Sequence, residues 1–201
     1  LGTTGEQGRF RTFFFFATGL SAGITVVLQF VQLERIGRRF FILMSFTAIA
    51  FSALAFAASG LETNYLHVAL AGLLIAYNVI VPPQAGIDRI ARREGLEGRP
   101  RRGPGTFASV FLVAAAICGA SGVVLDALRF SVLSGLGGFG LAASFLSSSL
   151  LVGGAATAMV LGHWYLVVKD LSFAPLSRVT LVLMAALVLR VAAIALAACA
   201  Q

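Results

Sequence analysis

The chain is a succession of long apolar runs separated by short polar stretches, most of which carry arginine. Each run reaches about 18 residues or more, which at about 1.5 Å of helical rise per residue crosses the roughly 30 Å of hydrocarbon in a bilayer. The pattern predicts helices over 12–32, 40–59, 65–83, 106–125, 141–168 and 178–200. A lipid-facing β-barrel would place a polar residue at every second position, and no such alternation occurs. The expected fold is therefore all-α: a polytopic transmembrane bundle of six spans, forming one domain over residues 1–201.

Composition agrees, with 59% apolar and 11% charged residues, a balance that a water-soluble domain does not carry. The formal charge of +7 would suggest a nucleic-acid partner in a soluble protein, but the cations here flank the apolar runs. Arg35, Arg38 and Arg39, then Arg89, Arg92, Arg93, Arg99, Arg101 and Arg102, then Lys169 and Arg178 follow the first, third and fifth runs. Only Arg9, Arg11 and Arg129 lie on the other side. The positive-inside rule then turns the arginine-rich loops to the cytoplasm and both termini to the non-cytoplasmic side. The expected partners are membrane lipids and other transmembrane subunits, with no nucleic acid, in a bacterial inner membrane or an organellar equivalent.

The stretch 84–105 reads as the one sizeable extramembrane loop, a basic tether or docking strip whose Arg, Gly and Pro content cannot build a core. Residues 126–140 read as an irregular, Gly-rich re-entrant or interfacial segment. Gly135, Gly137 and Gly140 match the spacing GxGxxG, but no strand precedes them and no acidic residue follows at the dinucleotide-binding distance. Cys118 and Cys199 lack paired or metal-ligand spacing and read as small packing residues. The chain opens on Leu1, which fits a processed product or the visible part of something longer, and no cleavable signal peptide is recognisable.

Two ladders of small residues permit close helix approach in lipid: Gly19 and Gly23 in the first run, and Ala143, Ser147, Gly154, Ala158 and Gly162 in the fifth. Either packs within the chain or forms a seam with another subunit.

Ionisable groups inside a span are expensive and are functional candidates by default. Arg190 stands amid Leu187, Val188, Leu189 and Val191, where an unpaired arginine costs about 2.5–3.5 kcal/mol on insertion scales. Every Asp and Glu falls at a span end or in a loop, so the expected partners of Arg190 are helix carbonyls, Asn78, the run Ser147, Ser148 and Ser149, or an external anion. The alternative is an arginine snorkelling to an interface.

His163, Trp164 and Tyr165 sit near the cytoplasmic end of the fifth run, where aromatic residues anchor at the interface. His163 has the chemistry to ligate a haem iron or a pigment magnesium or to hydrogen-bond a quinone, or else it bonds a neighbouring helix. His67 enters the third run from the opposite leaflet, so one haem cannot take both histidines. Asn78 lies at the depth of His163 and beside Tyr77, with Arg190 about 10 Å nearer the midplane. If their helices adjoin, Asn78, His163, Tyr165 and Arg190 line an inner-leaflet pocket for a quinone, lipid or pigment.

The expected function is a non-catalytic membrane subunit of a larger bioenergetic complex, in electron transfer or photosynthesis. Scarce intramembrane carboxylates and the absence of internal repeats support it. The alternative is a small homo-oligomeric transporter or channel, to which the lack of a proton-carrying acid in any span lends nothing. A membrane enzyme ranks third, because it would need clustered acids, histidines or cysteines at one interface.

Overall fold

The computed structural model describes residues 3–31, 36, 38–59, 65–93, 105–134, 138–167 and 173–199. Among these residues the protein is entirely helical: α1 (Thr3–Leu28), α2 (Arg38–Ser59), α3 (Tyr65–Arg93), α4 (Gly105–Ser134), α5 (Gly138–Val167) and α6 (Ala174–Cys199). Five of them hold apolar stretches long enough to cross a membrane. In α3 the apolar stretch is shorter, Tyr65–Ile80.

Two expectations about loops are corrected. α3 continues to Arg93, so the first part of the expected basic loop is helical. Its remainder, with Arg99, Pro100, Arg101, Arg102, Gly103 and Pro104, lies outside the described residues. Likewise α4 runs through Asp126 to Ser134 and absorbs most of the expected irregular segment. Within this stretch the carboxylate of Asp126 is buried and hydrogen-bonded. Gly135 and Gly137 lie outside the described residues.

α1 is the hub, packed against α2, α4 and α5; 61% of its spanning residues are buried, against 17% in α6. α3 lies against α2 and α4, while α6 packs on α5. α1 and α2 run in opposite directions, with Phe16 against Phe51 and Ser21 against Ala48. So do α3 and α4, with His67 against Asp126 and Leu70 against Gly119, and α5 and α6, with Ser144 against Arg190 and Gly154 against Leu183. One end of the bundle therefore holds the start of α1 and the finish of α6, here called the terminal end. The other, the basic end, holds the start of α2 with Arg38 and Arg39 and the finish of α3 with Arg89, Arg92 and Arg93.

The tightest seam joins α1 to α5. A Cβ on Gly23 would lie 1.9 Å from the Ser149 carbonyl oxygen, and one on Gly153 would lie 2.2 Å from the Gly23 carbonyl carbon. The GxxxG of α1 thus serves packing within the chain. The face of α5 that meets it is Ser149 and Gly153; of the expected α5 ladder, Gly154 packs within the chain against Leu183 of α6 and Val27 of α1, and a Cβ on Gly162 would touch nothing within 4 Å. Buried hydroxyls close their own helix turns, as with Thr25 to Ser21 O (2.8 Å) and Thr157 to Gly153 O (2.7 Å). Others bridge helices: Ser21 Oγ donates to Ala48 O (2.8 Å), and Gln29 Nε2 to Leu112 O (2.9 Å). The apolar core between these seams is built by Ile24, Leu28, Phe40, Met44, Leu74 and Tyr77.

Candidate functional site

The polar groups expected to converge at the basic end do not meet. Asn78 of α3 donates from Nδ2 to Ser45 Oγ of α2 (2.9 Å) and to Leu74 O (2.8 Å). His163 is exposed on α5. Trp164, next to it, donates from Nε1 to Ile36 O (3.3 Å), and the Tyr165 ring lies nearly parallel to that of Phe173 with centroids 5.8 Å apart. Arg190 is apart from all of these: Asn78 sits on α3, which α6 does not pack against, and Arg190 meets α5 at Ser144, near the start of that helix, whereas His163 and Tyr165 are near its finish.

Arg190 instead turns to the terminal end. Its Nη1 donates to the carbonyl oxygen of Ser144 (2.8 Å) and to the Ser144 hydroxyl, near the start of α5. Arg11, Arg39, Arg129 and Arg178 are exposed, so among the arginines whose side chains are described Arg190 alone is half-buried. It lines a half-open cleft of about 240 Å³ together with Phe15, Phe16, Gly19, Ser148, Phe145 and Val152. Ser148 and Ser149 spend their hydroxyl protons inside α5, on Ser144 O (2.8 Å) and Phe145 O (2.9 Å). No carboxylate pairs with Arg190 among the described residues. The charge of the cleft is therefore a single guanidinium with donors beyond those bound to Ser144.

Close by lies a pair that sequence reasoning missed. His67 Nε2 is 2.7 Å from Asp126 Oδ2, and both side chains are buried between α3 and α4. The ring is seated on Gly122, where a Cβ would come within 2.8 Å of Cε1, and is capped edge-on by Phe14 at 6.2 Å. Nδ1 of His67 is buried with no hydrogen-bond partner. The spacing of Gly122 and Asp126, one helical turn apart in an apolar stretch, was the available signal: a small seat and an acid on one face. It was obscured by reading 126–140 as irregular.

An aromatic wall joins the two features. Phe14 meets Phe15 at 5.6 Å, and Phe15 meets Phe145 at 5.2 Å and Phe130 at 5.9 Å, each edge to face. The terminal end of α1 is thus held between a buried His–Asp pair on one side and an arginine-lined cleft on the other. His67 and His163 stand at opposite ends of the bundle, so the two imidazoles do not share a ligand.

No known family model, curated protein or solved structure matches the chain. The functional reading rests on this geometry.

Proposed function

We propose that this protein is a non-catalytic integral membrane subunit of a larger bioenergetic complex, contributing helix packing and a cleft that holds the polar head of an amphipathic molecule. In this reading the bundle crosses the membrane six times, α3 included, with the arginine-bearing connections in the cytoplasm and the terminal end outside. The observation that carries it is Arg190: a half-buried guanidinium kept in a laterally open cleft and tied to Ser144. Desolvating an arginine without an anionic partner is unfavourable, so its retention there is explained by a group supplied from outside the chain. The peripheral position of α6 supports a packing role as well. Leu181, Met184, Leu187, Val188 and Val191 form a broad uncovered surface on the helix that carries Arg190. His163, exposed on α5, is placed where a neighbouring subunit would reach it.

One observation favours the second reading, a homo-oligomeric transporter. Asp126, an acid inside the apolar stretch of α4 and bonded to a histidine, is the kind of group through which protons move in membrane carriers. The readings separate by experiment. Extraction in mild detergent followed by native mass spectrometry yields unlike subunits in fixed stoichiometry under the first and copies of this chain alone under the second.

A further inference from the structure

We infer that the Arg190 cleft selects an anionic head, a phosphate or carboxylate carried on an acyl chain, over a neutral one such as a quinone. This rests on the reading that the cleft holds an amphipathic molecule and specifies which. The cleft presents one full positive charge and no acidic group. A quinone carbonyl would take one hydrogen bond from the guanidinium and leave the charge desolvated, whereas an oxyanion takes two in the fork geometry and neutralises it.

The serines strengthen the case. With the hydroxyl protons of Ser148 and Ser149 committed to α5 carbonyls, they do not compete to donate to a neutral ligand, and discrimination falls to the arginine. Ser144, bonded at both its carbonyl and its hydroxyl, holds Nη1 in place and so fixes the guanidinium plane.

The walls provide for the chain of the amphiphile. Phe15, Phe16, Leu20, Phe145 and Val152 offer an apolar path, and Phe16 and Val152 are exposed on the bundle's surface. That opening faces sideways into the acyl phase, so an occupant enters from the bilayer and keeps its head at the terminal end. Two sources share this chemistry: the phosphodiester of an anionic bilayer phospholipid, or the carboxylate of a free fatty acid.

The protein, reconstituted in nanodiscs of phosphatidylcholine with a minority of phosphatidylglycerol, oleate or a long-chain ubiquinone, is re-extracted, and the molecules retained per chain are measured by native mass spectrometry. Enrichment of phosphatidylglycerol identifies a bilayer phospholipid, and enrichment of oleate a free acid. Either enrichment should fall about tenfold or more in Arg190→Gln, the effect of losing a charge-assisted hydrogen bond, and partly recover in Arg190→Lys. Val152→Trp, which narrows the mouth and leaves the charge intact, should lower retention of every amphiphile; a size-exclusion profile matching the wild type verifies folding in each variant. Equal retention of ubiquinone and the anions, unaffected by Arg190→Gln but reduced by Val152→Trp, overturns the anionic inference and leaves the cleft as a binding site. Retention of all three indifferent to both substitutions overturns the cleft as well.

Discussion

At Gly122 the backbone of α4 passes so close to the His67 ring that one methyl group would collide with it. Gly122→Ala should therefore displace the imidazole and weaken its bond to Asp126, costing about 1–3 kcal/mol as an overpacked core site does. Thermal unfolding in detergent measures this, and an unchanged midpoint would mean that the ring moves aside freely. Asp126→Leu should be more harmful than Asp126→Asn, because the amide still meets Nε2 whereas leucine leaves a buried imidazole unsatisfied, at about 1–3 kcal/mol. The sequence makes Arg190 conspicuous, since a charge within an apolar run declares itself. A helix carbonyl was among its expected partners, and Ser144 O is one; that the hydroxyl beside it belongs to Ser144 and not to the run Ser147, Ser148 and Ser149 depends on the helix rotation, which composition does not specify. His67 and Asp126 were harder still, being far apart in the chain and joined only by the packing of α3 on α4.

Among the elements, α1 and α5 meet backbone to backbone at Gly23 and Gly153, whereas Gly162 on the same α5 faces open space. Gly23→Ala should cost about 3 kcal/mol or more, because the obstructing atoms are backbone and cannot rotate away. Gly162→Ala should leave the isolated protein's unfolding midpoint unchanged, and a loss of assembly in that variant with normal stability would mark a partner's contact. All six helices were legible, because apolar length is set by the bilayer. Their ends were less so: α3 and α4 both extend beyond the apolar runs, into Arg93 and Ser134, where hydrogen bonding along the helix outweighs the polarity of the added side chains. The GxxxG of α1 was read correctly as a close-approach surface, while of the α5 ladder Gly154 packs within the chain and Gly162 faces open space; that Ser149 and Gly153 meet α1 depends on the helix rotation.

For the whole molecule, the antiparallel succession gathers both termini with the His67–Asp126 pair and the Arg190 cleft, and leaves His163 and Tyr165 at the opposite end. The charge asymmetry of the connections predicts which end is cytoplasmic. A cysteine introduced at Arg101 should react with a membrane-impermeant maleimide only after the cytoplasmic face is opened, and labelling of intact cells would invert the assignment. The claim that this chain works as a subunit depends on what lies against α6 and the exposed flank of α5. Extraction from the native membrane in mild detergent, with native mass spectrometry of the intact particle, tests it most directly. The account predicts this chain in fixed stoichiometry with unlike transmembrane subunits, whereas a particle made only of copies of this chain would contradict it.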